Sequence, residues 1–139
     1  MRAIDIMSDK VTTIRATQSL ADAIDALSET NTRHLPVLGD AGQVVGMVSD
    51  RDLRSLGLVR TPDLQTLGRL HDRLRTAVSS AMSADVATVG PQTDVKELID
   101  TMLEAGVGAV PVVDDVTDEL VGIVSYVDVL RALRDAGEA

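Results

Sequence analysis

Short, continuous apolar runs alternate along this chain with segments whose apolar positions recur at helical spacing, and the whole alternation occurs twice. Val45-Gly46-Met47-Val48 runs into Ser49-Asp50-Arg51-Asp52-Leu53, and Val121-Gly122-Ile123-Val124 runs into Ser125-Tyr126-Val127-Asp128-Val129. Each copy reads as a buried strand that hands over to a helix at a serine, with an aspartate one turn in. Upstream, Leu20, Ala23, Ile24 and Leu27 mark one amphipathic helix, and Val95, Leu98, Ile99 and Met102 mark its counterpart. Ser19-x-x-Asp22 and Asp94-x-x-Glu97 are patterned as capping boxes, with the acid where the helix dipole favours it.

Hairpins follow. Leu35–Leu38 and Val44–Val48 flank Gly39-Asp40-Ala41-Gly42, while Val110–Val113 and Leu120–Val124 flank Asp114–Glu119. Short extended pieces, Val11–Ile14 and Val86–Val89, open the units. Helices from Asp50 to Ser55 and from Tyr126 to Arg134 close them. At a near-constant offset Met7-Ser8 matches Met82-Ser83, Ile24-Asp25 matches Ile99-Asp100, and Pro36-Val37 matches Pro111-Val112. The chain is a tandem duplication of β-α-β-β-α units, an α+β fold, with repeats at 1–56 and 79–139 and a linker at 57–78. The strands are too apolar to leave one face wet, and one copy of about 55 residues is marginal alone. The pattern therefore predicts two repeats packed sheet to sheet about a pseudo-twofold.

In the linker, Thr61-Pro62 resembles an N-cap with proline at the first helical position, and Leu64, Leu67, Leu70 and Leu74 form a stripe. Arg69, His71, Arg73 and Arg75 make it locally basic. It reads as a solvated amphipathic helix or as a surface for a partner or an anion.

Composition narrows the function. The chain of 139 residues has a net charge of −9, one tyrosine, and no phenylalanine or tryptophan. That balance opposes nucleic-acid binding, because it offers neither a basic footprint nor a stacking platform. No apolar run is long enough to span a membrane, and no signal-peptide pattern opens the sequence. Zero cysteines exclude disulfides and thiolate metal sites and suit a cytoplasmic location. Two histidines, His34 and His71, do not make a multi-histidine metal centre by themselves. Without a nucleophile–base pair or a metal constellation, the chain does not read as an enzyme, and no cofactor is required.

The doubled set Met-Ser-x-x-Val, Pro-Val and Val-Gly-(Met/Ile)-Val-Ser-x-x-Asp resembles the cystathionine-β-synthase (CBS) domain, which occurs in pairs as the Bateman module. The resemblance covers roughly Ile4–Leu56 and Ser79–Leu133, and the expectation it raises is a stand-alone pair without a catalytic domain. It implies a regulatory module that binds AMP, ADP, ATP or S-adenosylmethionine in clefts between the repeats, signals to an as yet unknown protein partner, and forms a homodimer. It also implies that the aspartate holds the ribose hydroxyls and the serine contacts phosphate. One site would use Val11, Thr32, Arg33, Ile123, Ser125 and Asp128. The pseudo-symmetric site would use Met47, Ser49, Asp52, Val86, Val107 and Gly108. The chemistry is sound on its own: a carboxylate accepts two hydrogen bonds from a vicinal diol, and a helix start attracts anions.

Each of these residues has a plainer reading. Ser-x-x-Asp at a helix start is also a capping box. Arg33 suits service to either cleft, Arg51 suits a phosphate contact or a surface ion pair, and His34 suits a hydrogen-bonded structural role. Tyr126 suits packing or a cover over a nucleotide. Asp50, Asp114 and Asp115 read as turn or surface acids, and Met7 and Met82 as core. Gly46 and Gly122, each inside a strand, predict close approach of a backbone or a ligand. The alternative function is a ligand-free pair that serves dimerisation and protein docking.

Overall fold

The computed structural model describes residues 1–55 and 71–137. The linker stripe from Thr61 to Leu70 lies outside the described residues. Two compact units divide the chain: Thr12–Val86 form one, and Met1–Val11 with Ala87–Ala139 form the other.

The unit of Thr12–Val86 is built on a three-stranded sheet. Strand β1 (Ile14–Arg15) runs parallel to β2 (His34–Leu38), which pairs antiparallel with β3 (Val44–Ser49). Helix α2 (Leu20–Thr30) and helix α3 (Asp50–Ser55) pack on it. Leu20, Ala23 and Leu27 from α2 meet Leu35, Val37, Val48 and Leu53 in one apolar core. The helical spacing in the sequence thus faces the strand residues of one sheet face. Paired strand residues begin at Ile14, later than the expected Val11–Ile14. Only there does the chain draw level with Val37 and Leu38 of β2.

In the other unit, α1 (Ala3–Ile6) precedes α4 (Val95–Ala105), β4 (Ala109–Val113), β5 (Leu120–Ser125) and α5 (Tyr126–Asp135). Strands β4 and β5 repeat the register of β2 and β3, including a shift at the matching position. The expected opening strand Val86–Val89 shrinks to a single parallel bridge between Val89 and Val112. Val89, Leu98, Met102, Val110, Val112, Val124 and Val129 form the core with Ala3.

The cap patterns fare differently. Ser19 and Asp22 form the full reciprocal box, at 3.1 Å and 3.2 Å. Asp94 instead accepts from the Lys96 amide at 3.2 Å, so the predicted box with Glu97 is not formed. The start of α4 already has another tie, for the Val95 amide donates to the Met1 carbonyl at 2.9 Å. At their C-terminal ends, α2 and α4 stop on matching left-handed residues, Asn31 and Gly106.

The short N-terminal helix α1 has no hydrophobic period to announce it. Its residues are held by the Ala3 amide on the Thr93 carbonyl (2.8 Å) and the Ile4 amide on the Pro91 carbonyl (2.9 Å). The end of the linker, which leads into the second repeat's arm, behaves in the same way towards the first repeat. The Leu20 amide donates to the Thr76 carbonyl at 2.9 Å, and the Val78 amide donates to the Gln18 carbonyl at 2.7 Å. Ala3 and Val78, matched in the duplication, are both fully buried. Each unit is therefore one repeat's helices and hairpin completed by the N-terminal arm of the other repeat.

Candidate functional site

The two Ser-x-x-Asp segments sit where the last strand of each unit becomes a helix. In both, the carboxylate accepts from the serine amide through Oδ2, at 2.9 Å for Asp52 on Ser49 and 2.9 Å for Asp128 on Ser125. The serine Oγ accepts in return from the aspartate amide, at 3.0 Å and 3.2 Å. These are capping boxes, and all four residues are half-buried. Among the described residues no protein donor reaches Oδ1 of either aspartate, so each carboxylate keeps an oxygen for a further donor.

The residue before each hairpin closes the same corner. The Arg33 carbonyl accepts from the Asp50 amide at 2.9 Å, and the Gly108 carbonyl accepts from the Tyr126 amide at 2.9 Å. Thr32 donates its hydroxyl to the His34 carbonyl at 3.4 Å, and the Val107 amide donates to Met102 at 3.2 Å. Met47 pairs with Pro36 and Ile123 pairs with Pro111 across the hairpins.

By unit, Thr32, Arg33, Met47, Ser49, Asp52 and Val86 fall together, and Val11, Val107, Gly108, Ile123, Ser125 and Asp128 fall together.

The glycines in the strands meet backbone. The Met47 amide donates to the Ser83 carbonyl at 3.0 Å and the Ser83 amide donates back at 2.9 Å; Ser8 and Ile123 repeat this at 3.0 Å and 2.9 Å. A methyl built on Gly46 would overlap the Met82 sulfur and lie 3.0 Å from the Ser83 carbonyl oxygen. Gly122 stands in the same relation to Met7 and Ser8. These arm contacts beside Met47 and Ile123 were not read from the sequence, although the repeated Met-Ser pair was their signal.

Position 34 distinguishes the two corners. His34 lies opposite Ser49 in the ladder, where the second repeat has Ala109 opposite Ser125. Its ring makes no hydrogen bond among the described residues, unlike the hydrogen-bonded structural role expected of it, although the Ser49 hydroxyl, which accepts from the Asp52 amide, keeps its own proton to donate. Burial pushes the His34 pKa below the ordinary 6.5; the Asp52 charge opposes that shift and the Arg33 charge adds to it. The unfolded chain then binds the proton more readily than the folded one. Stability should be complete above the ordinary value and fall as pH drops through the folded one. Denaturant melts from pH 7.5 to pH 5 should show that slope, and His34→Ala should flatten it.

The surface acids take the plain roles expected of them. Asp50 pairs with Arg54 at 2.9 Å, and Asp114 Oδ1 accepts from the amides of Val116 and Thr117 at 2.8 Å and 2.9 Å. These amides hold the Asp114 carboxyl below its usual value. Arg51 is exposed without an ion pair among the described residues, and Tyr126 is 51% exposed.

Comparison with known proteins agrees with this architecture. The CBS domain family matches residues 3–58 and 78–135, and the chain belongs to that family. Hypoxic response protein 1 of Mycobacterium tuberculosis is 30% identical over 134 residues, covering 96% of this chain and 85% of that protein. The CBS-pair protein CBSX2 of Arabidopsis thaliana superposes with a TM-score of 0.81 at 27% identity, covering 99% of this chain and 97% of that one. The same plant protein in complex with AMP matches at 27% identity and a TM-score of 0.77, with 98% of each chain covered. The homoserine O-acetyltransferase of Methanococcoides burtonii is 28% identical over 129 residues, but the chain spans only 23% of that enzyme's length. No helix among the described residues is long and apolar enough to cross a membrane.

Proposed function

We propose that this chain is a regulatory sensor that binds an adenosyl compound (AMP, ADP, ATP or S-adenosylmethionine) and passes its occupancy to a protein partner. It does so as a cytoplasmic homodimer without catalysing a reaction. The observation that carries this reading is the duplicated Ser-x-x-Asp corner, in which a half-buried aspartate keeps Oδ1 free of any protein donor among the described residues. A ribose diol supplies two O–H donors of the kind that oxygen accepts. The AMP complex of CBSX2, which is similar over nearly the whole chain, supports adenine as the base. Ser49 and Ser125 would meet phosphate. Val11, Thr32, Arg33 and Ile123 would complete the Asp128 site, and Met47, Val86, Val107 and Gly108 the Asp52 site.

A ligand that binds only the folded chain raises its melting temperature as concentration passes the Kd. Thermal melts with AMP, ATP and S-adenosylmethionine should show a saturable rise with at least one of them, and a melt indifferent to all three contradicts the reading. One observation favours the alternative of a ligand-free docking pair: both Ser-Asp pairs are already satisfied as caps. Under that alternative, the aspartates matter for stability alone.

A further inference from the structure

The chain has no cysteine and five methionines, so its oxidisable sulfur is all thioether. Two of the five, Met7 and Met82, occupy matched positions in the duplication and make the same contact. The sulfur of Met7 fills the space over Gly122 that a side chain there would take, and the sulfur of Met82 fills it over Gly46. Each also packs against the apolar core of its own unit. Directly after each comes the serine whose two backbone bonds tie the arm to the strand, Ser8 to Ile123 and Ser83 to Met47. Met47 and Met102 are 8% and 7% exposed, whereas Met7 and Met82 are half-buried and so within reach of a small solute.

We propose that Met7 and Met82 are a paired modification site, at which a peroxide oxidises each thioether to the sulfoxide and releases the arm from its strand. A sulfur lone pair takes one peroxide oxygen as the O–O bond breaks, and the departing hydroxide takes that oxygen's proton and leaves as water. Sulfur loses two electrons and the peroxide gains them. The product sets an S–O dipole where an apolar thioether was packed on glycine and core, and a polar group so placed costs free energy unless a donor reaches it. The sulfur sits one residue from the Ser8 or Ser83 bridge, so that cost falls on the arm, which the strand holds there by two bonds. A dithiol reductase reverses the change, withdrawing the oxygen as water while its own thiols form a disulfide. Leucine would fill a similar volume without this sensitivity, yet both copies carry methionine. The inference needs no ligand and stands apart from the adenosyl reading.

Hydrogen peroxide added to the full chain without nucleotide tests it, with sulfoxide located by peptide mass spectrometry. Met7 and Met82 should oxidise ahead of Met47 and Met102. The amides of Ser8, Ile123, Ser83 and Met47 should then exchange hydrogen faster, and the melting temperature should fall by about 4 °C or more. Methionine sulfoxide reductase should restore both. Met7→Leu with Met82→Leu should make the melting temperature indifferent to peroxide, and each single substitution should protect its own arm alone. Oxidation of Met47 or Met102 first, or sulfoxide at positions 7 and 82 with exchange and melting unchanged, would overturn the proposal on the wild-type chain by itself. An equal loss in the folded double variant would overturn it as well, by tracing the effect to another residue.

Discussion

Gly122→Val and Gly46→Val should each cost about 3 kcal/mol or more, the upper end of what overpacking a filled core costs. Equilibrium denaturation measures it. The first side-chain carbon would meet a methionine sulfur, which can move, and a carbonyl oxygen 3.0 Å away, which is held in a two-bond bridge. The arm must therefore lift from the strand, breaking the bonds of Ser8 with Ile123 or of Ser83 with Met47. Pairing Gly46→Ala with Met82→Ala separates the two contributions. Recovery should be partial, because the sulfur is gone while the carbonyl stays. Full recovery, or substitutions that cost nothing, would show that the arms are not seated as described.

The second large effect concerns the two aspartates. Asp52→Ala and Asp128→Ala each lose one cap bond, which should cost about 1 kcal/mol in stability. If Oδ1 holds a ribose diol, the same substitutions remove a charge-assisted contact as well. Ligand affinity should then fall by about tenfold or more at the altered corner. The two readouts separate the roles. A stability loss without an affinity loss leaves only the cap, and favours the docking pair over the sensor.

Much of the local structure was legible because it rests on local rules. The hairpins, helix stripes and Ser19 cap follow from spacing and side-chain type, and the duplication confirmed each element by its copy. The exchanged arms were not legible. Met7-Ser8 and Met82-Ser83 announce themselves as a repeated pair, but nothing in a periodic pattern says which distant strand an arm will join. Gly46 and Gly122 signalled a close approach without naming what approaches. The Asp94 pattern misled because a box depends on competing donors, and the Lys96 amide took the carboxylate. At the candidate site, the Ser-Asp geometry was readable from four residues. The state of His34 was not, since it depends on the strand register that sets it beside Ser49 and Asp52.

Calorimetric titration of the purified wild-type chain with AMP, ATP and S-adenosylmethionine tests the central claim most directly. The account predicts saturable heat with at least one of them, at micromolar affinity (Kd of about 1 μM to 100 μM, or roughly 5.5–8 kcal/mol of binding), lost or weakened in Asp52→Ala or Asp128→Ala. No heat from any of the three, with the chain folded, would contradict it.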